Sequence, residues 1–466
     1  MDSIKKRRLQ EQVCRFRARF AQSAGAVLGD VIPTALLKRW IEEEVGPYRE
    51  RVYGPLRTLM LFLEQVIGAD QSCQDAVARG VSEQVGLGKK PSSLNNGPYC
   101  DARKRLPLGL LKRMGREIGD RLAERQPVAW LWRGRQIKLV DGTTVSMPDT
   151  PANQRCFPQN KQQKPGLGFP VARLVAVVSL SCGAVLEWAV GACEGKLTGE
   201  TSLLSGLQSH FKSGDIMIAD RCYAGYFTIA LMTRLGVDVV VRQNKMRCTD
   251  FRRGRRLGKR DHVVVWILPK QPPWMDDATY QSMPATLTMR ETRISDWTLA
   301  TTLLDVATVS KGELLAMYQQ RWQVELDLRS IKDVMQMGVL RCKSPEMVSK
   351  EIAAHLVAYN LARVVMSQAA HLAKTLPCKL SFKGALQVLR AFEESLRHCP
   401  RGRLSTRHAY LLAGISQLRL PARLGRVEPR VKKRRAKPQR LLTEPREILR
   451  ARLEIQKARH ITAGLS

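Results

Sequence analysis

Apolar residues recur at three- and four-residue spacing over residues 33–44, 56–67 and 108–122, a period that predicts amphipathic helices in the first part of the chain. Loops rich in Gly, Ser and Asn separate them, most plainly at residues 86–98. From residue 135 the pattern changes. Short β-prone runs at 136–140, 174–180, 184–190, 215–219 and 237–241 predict strands of a buried sheet, with a helix at 225–235 before the last of them. Two further runs, 262–268 and 286–293, lie among Pro and Gly and predict a β-rich insertion ahead of a helical segment around Tyr318. Residues 347–374 read as a long apolar helix, and beyond Pro400 the chain is basic and rich in Arg and Pro. The order predicts an α/β protein in which a mixed sheet is flanked by helices. Its expected divisions are a helical amino-terminal region (1–128), a core (129–375) with an insertion at about 246–304, and a basic carboxy-terminal region (376–466).

Charge changes the picture more than composition does. Lys plus Arg exceed Asp plus Glu by 77 − 42 = +35 in 466 residues, an excess that implies a polyanionic partner, nucleic acid first. Dense basic runs at 5–8, 247–260 and 430–440 suggest contact with a nucleic-acid backbone over a long footprint. A short basic helix ending Arg103-Lys104-Arg105 has the form of a groove-entering helix, and equally of an ordinary exposed basic face. The most apolar region, 174–192, is broken by Ser179, Ser181, Gly183 and Glu187, so no membrane span is expected. The first residues carry cations without an apolar stretch after them, unlike a secretory signal, which points to the cytoplasm. Eleven scattered cysteines without Cys-x-x-Cys argue against a disulfide framework and against a zinc ribbon.

The candidate chemistry begins with Tyr318-Gln319-Gln320-Arg321-Trp322-Gln323-Val324-Glu325 and the later Lys332. At about 100° per residue, Tyr318, Arg321, Glu325 and Lys332 fall within roughly 60° of one another on one helix. A neighbouring stripe of Met317, Val324, Leu328, Ile331 and Met335 would seat that helix on a core and aim the polar row at a cleft. Two more carboxylates, Asp141 and Asp220, stand at the expected ends of two core strands. Each acid has an ordinary reading: Asp141-Gly142 as a turn, Asp220-Arg221 as a surface pair, Arg321 with Glu325 as an i, i+4 helix pair. Together they make the donor set that phosphodiester chemistry requires, because hard divalent cations take carboxylate oxygens. Asp149, Asp215, Asp305 and Asp327 fit less well; Asp327 points roughly 160° away from Glu325 around the helix.

Asp141-Gly142, Asp220-Arg221 and Tyr-x2-Arg-x3-Glu-x6-Lys together resemble the DDE transposases of bacterial insertion sequences, in the insertion-sequence-four group with its YREK signature. Asp70-Gln71-Ser72-Cys73 with Tyr99-Cys100-Asp101-Ala102-Arg103 resembles that group's amino-terminal region, and residues 426–438 its carboxy-terminal one. The resemblance implies a ribonuclease-H-like core with a β insertion between the second Asp and the Glu. It also implies two Mg²⁺ ions, which Mn²⁺ can replace, on Asp141, Asp220 and Glu325. Tyr318, Arg321 and Lys332 would contact phosphates at the transposon end, and Arg221, Trp322, Arg103 and Arg105 join them as candidate DNA contacts. Trp297, similarly placed before Tyr318 as the stacking Trp of a hairpin-forming relative, is the candidate platform for a flipped base. Inverted-repeat ends, target DNA and a homodimer in a synaptic complex are the implied partners. Cys222 departs from the Gly that commonly follows Asp-Arg there. A nuclease of the same core, or a DNA-binding protein without catalysis, would carry many of the same residues.

Overall fold

The computed structural model describes residues 32, 34–48, 51–195, 198–272, 275–397, 399–421 and 440–463. The basic runs at 5–8 and 430–439, and the stretch 426–438 likened to the family's carboxy-terminal region, lie outside the described residues.

Nine strands form one sheet: β1 (Ile137–Ser146), β2 (Val171–Ser179), β3 (Val185–Ala192), β4 (Ile216–Ala219), β5 (Asp238–Arg242), β6 (Arg255–Gly258), β7 (Asp261–Ile267), β8 (Thr286–Ile294) and β9 (Trp297–Thr301). Across the sheet they stand in the order β3-β2-β1-β4-β5-β9-β8-β7-β6. β1 to β3 are antiparallel neighbours, whereas β4 and β5 run parallel to β1 on its other side. That arrangement is the ribonuclease-H-like fold. β4 is buried at every residue, as expected of a parallel strand covered on both faces. The four strands after β5 do not build a separate sheet. β9 pairs antiparallel with β5, Val241 opposite Ala300, so the insertion continues the core sheet and covers what would otherwise be an open edge.

Helices cover the other end of the sheet. The predicted amino-terminal helices occur as Thr34–Val45, Pro55–Ile67 and Leu108–Glu124, and a further one, Cys73–Gly86, starts where the Ser72 hydroxyl accepts the Asp75 N–H. Leu108–Glu124 lies so close to β3 that a Cβ on Gly119 would come within 2.5 Å of the Val185 carbonyl oxygen. The long helix Pro345–Leu372 is buried along most of its length, polar residues included. Among those, Asn360 satisfies both backbone groups of Val185, accepting its N–H at 2.8 Å and donating to its carbonyl at 2.7 Å. A buried amide thus ties the central helix to an edge strand without leaving a polar group unpaired. No helix among the described residues is long and apolar enough to cross a membrane.

Candidate active site

β1 runs through Asp141 and Gly142 to Ser146, so the expected strand end and turn are a strand interior. What stops at that point is pairing with β4. The last pair is Val140 with Ala219, after which β1 continues against β2 alone, Asp141 opposite Ala176 and Gly142 opposite Val175. Asp220 is the first residue past β4, and its Oδ1 accepts the Cys222 N–H at 2.7 Å, capping the short turn Arg221–Tyr223. The two acids therefore stand on adjacent parallel strands, whose axes are about 4.8 Å apart, where the sheet opens between them.

The helix expected through residues 318–332 is in three pieces: Lys311–Gln319, Trp322–Arg329 and a π-helical turn, Ser330–Val334. At the first junction the Gln320 and Arg321 N–H groups donate to the Met317 and Tyr318 carbonyls at 3.1 and 2.9 Å, the i→i−3 bonds of a tightened turn. At the second, Met335 N–H reaches back five residues to the Ser330 carbonyl at 3.1 Å. The apolar stripe still seats the assembly, with Met317, Val324, Leu328, Ile331 and Met335 all buried. Tyr318, Arg321 and Glu325 stay on one side. Lys332 sits on the π turn, its aliphatic chain against Gly338, and is half-buried.

Arg321 joins the helix acid to the strand acid. Its Nη2 donates to Glu325 Oε1 at 2.6 Å, and its Nη1 lies 3.7 Å from Asp141 Oδ2. Burial pushes the Asp141 carboxyl up from 3.8 to about 6; the Gly142 N–H and Arg321 oppose that rise, while the negative charges of Asp220 and Glu325 add to it. Burial also raises the Tyr318 hydroxyl, with Arg321 opposing and Asp220 reinforcing. The Cys222 thiol is pushed up to about 11, first by burial and then by Glu200, Asp220 and Asp141 against Arg173. Negative charge is thus concentrated at this end of the sheet, with the Arg321 guanidinium set among the acids. No three Asp, Glu, His or Cys side chains among the described residues close tightly enough to chelate an ion as they stand.

Beside the acids lies an aromatic corner. Trp297, the first residue of β9, packs at 5.4 Å and 45° against Tyr318, and the Arg242 guanidinium lies 5.3 Å from the Trp297 ring centre. Trp322 is 43% exposed and Arg221 is exposed at the turn after Asp220. Arg105 is exposed too. Arg103 is not. It is buried, donates to Gln65 Oε1 at 3.1 Å and lies over the Phe62 and Tyr99 rings, so the expected groove contact is corrected to an interior clamp of the amino-terminal helices.

The rival acids are engaged elsewhere: Asp327 with Arg363, Asp215 with Lys138, Asp305 with Thr308 and Asp149 with Gln154. Sequence reasoning missed Glu200 and Arg242. Nothing local in the sequence marks either, because the fold brings both there from other parts of the chain.

Residues 132–361 match the family model described as transposase DDE domain. The chain is also 28% identical over 331 residues to transposase InsG for insertion sequence element IS4 of Escherichia coli (strain K12), covering 68% of this chain and 71% of that protein. The chain carries a transposase DDE domain. A solved synaptic complex of piggyBac transposase with hairpin DNA is similar at 10% identity and a TM-score of 0.41, over 88% of this chain and 86% of that one. In this transposase the matched domain begins just ahead of β1 and ends inside the long helix, so Asp141, Asp220 and Glu325 all fall within it. As a transposase it is a DNA-cleaving enzyme.

Proposed function

We propose that this transposase cuts the ends of its element and joins them to target DNA by two-metal phosphoryl transfer, with Asp141, Asp220 and Glu325 as metal ligands. The observation that carries the reading is that three acids from separate elements face one end of the sheet, two from adjacent parallel strands and one from a facing helix linked to Asp141 through Arg321. Fit to divalent cations is supported by the Asp141 carboxyl, raised to about 6 by burial with Asp220 and Glu325 adding to the rise, a repulsion that bound cations would relieve. Mg²⁺ is the expected ion and Mn²⁺ its substitute. Once bound, such ions supply Lewis acidity at the attacking and leaving oxygens of a phosphodiester.

The protein's own groups do the rest. Arg321 turns its fork from Glu325 to a phosphate, freeing the carboxylate for metal, and Lys332 adds a point charge. Tyr318 donates its hydroxyl to a phosphate oxygen. Arg221, Trp322 and Arg105 hold the duplex on either side, and Trp297, steadied by Tyr318 and Arg242, offers an indole to an extruded base. Water first displaces the 3′ oxygen at the element's end. The freed 3′ hydroxyl then attacks the opposite strand, closing a hairpin and releasing flanking DNA; water reopens the hairpin and frees the 3′ hydroxyl again, which finally attacks a target phosphodiester and displaces the 3′ oxygen of the target strand. Two protomers hold the two ends together. The helical region (1–128) and basic carboxy-terminal region (376–466) grip the ends around the catalytic domain.

The test uses purified protein, Mg²⁺ and a duplex carrying the inverted repeat that flanks the coding sequence. Nicked, hairpin and joined products are expected in succession. Nicks without joined product would reduce the protein to a nuclease, and bound but uncut DNA would reduce it to a binding protein.

A further inference from the structure

Asp70-Gln71-Ser72-Cys73 and Tyr99-Cys100-Asp101-Ala102-Arg103 have no part in the reading above, yet the fold joins them in one chain of buried hydrogen bonds. From the helix Gly97–Arg105, the Tyr99 hydroxyl and Arg103 Nη1 donate to Gln65 Oε1 at 2.8 and 3.1 Å. Gln65 Nε2 in turn donates to the Gln71 carbonyl at 2.7 Å. The Gln71 side chain then reaches the matched domain. Its Nε2 donates to the Val66 carbonyl at 2.9 Å and, 264 residues along the chain, to the Met335 carbonyl at 2.8 Å. Tyr99, Arg103, Gln65 and Gln71 are all buried. Met335 is the residue whose N–H closes the π turn Ser330–Val334, and Lys332 stands in the middle of that turn.

A π turn is a rare departure from the α-helix and is concentrated at functional sites. Here one residue grips it from outside. Both N–H bonds of the Gln71 amide go to carbonyls, so its donors are fully used and its orientation is fixed. Two weaker ties support the same junction: Gln336 Nε2 donates to the Ala69 carbonyl at 3.4 Å, and Arg341 Nη1 lies 3.7 Å from Asp70 Oδ1. Without the amide, the Val66 and Met335 carbonyls would lose a buried donor, and the turn would gain by rearranging to find another. We propose that Gln71 is a positioning residue for Lys332: by holding the Met335 carbonyl it fixes the π turn and aims the Lys332 ammonium group at a phosphate of the transposon end. The proposal rests on the reading of Lys332 as a phosphate contact. Through Gln65 the same chain reaches the helix that ends in the exposed Arg105, so the aim of Lys332 depends on the docking of that helix.

The salt dependence of binding to the inverted-repeat duplex, measured on the full chain with divalent metal chelated, tests it apart from activity. Gln71 is neutral and buried, so it neutralises no phosphate itself. Gln71→Met keeps the length and removes the donor. It is expected to lower the slope of log K against log salt by about 1, as Lys332→Ala does, and the two together are expected to lower it by about 1 and no more. Each variant is measured well below its own melting temperature, where lost stability alone leaves the slope unmoved. A wild-type slope in Gln71→Met, with Lys332→Ala lowered, would overturn the proposal while leaving the Lys332 contact standing. A drop in the double variant equal to the sum of the singles would also overturn it, because Gln71 would then act through other contacts. If Lys332→Ala leaves the slope unchanged, the phosphate reading fails and this proposal with it. Should Gln71→Met fail to fold, Gln71→Asn keeps the amide but draws it back by one methylene; the same drop is expected, and a wild-type slope would count against a positioning role.

Discussion

Asp141 carries a cost that the metal-free protein cannot avoid. Its carboxyl is raised from 3.8 to about 6 by burial, with Asp220 and Glu325 adding to the rise, so within that window the folded chain holds a proton that the unfolded chain has lost. The unfolded state binds fewer protons there, so stability falls as pH rises from about 4 to about 6 and levels off above it. Denaturation of metal-free protein across that range should show the fall in wild type and a smaller one in Asp141→Asn; identical profiles would mean the carboxyl is not under this strain. Arg321 makes the second residue-scale point. Its guanidinium donates to Glu325 at 2.6 Å, and if the same fork takes a phosphate of the transposon end, Arg321→Ala should weaken end binding and lower the slope of log K against log salt by about 1. An unchanged slope would remove it from the phosphate contacts.

At the scale of elements, the helix Trp322–Arg329 is anchored from behind. Asp327, on the side opposite Glu325, is buried in an ion pair with Arg363 of the long helix, while Gln323 Nε2 donates to the same carboxylate at 3.1 Å and Arg363 Nε donates to the Tyr359 hydroxyl at 2.7 Å. Breaking a buried pair leaves a lone charge in the interior, so Asp327→Ala or Arg363→Met should each cost about 3 to 5 kcal/mol, whereas replacing both by apolar residues should recover much of the loss. Denaturant midpoints decide this, and two neutral single variants would contradict it. The elements are also where reading the sequence fell short. Burial periodicity found the helix and both strands, since period 3.6 and runs of Val and Ile depend on local composition. It could not show that β1 continues past Asp141, because only β2 holds that half of the strand and pairing partners are distant in sequence. Nor could it show the breaks at Gln320 and Ser330, which are matters of hydrogen-bond register.

For the whole molecule, the excess of +35 charges pointed to nucleic acid, and the family confirms a transposase. Asp141, Asp220 and Glu325 could be proposed from the sequence because the Tyr-x2-Arg-x3-Glu spacing is local and each Asp follows a strand-forming run. Glu200 and Arg242 were not legible, since the fold alone brings them to the site. Arg103 misled because a basic run on a short helix looks the same from the sequence whether it faces solvent or the Phe62 and Tyr99 rings. The central claim is that three acids hold the metal while cations and aromatics hold the DNA. It is tested most directly by comparing wild type with Asp141→Asn, Asp220→Asn and Glu325→Gln on one inverted-repeat duplex with Mg²⁺, scoring binding and nicking in the same samples. The account predicts wild-type binding and no nick from each variant; nicking at the wild-type rate by any of the three would contradict it.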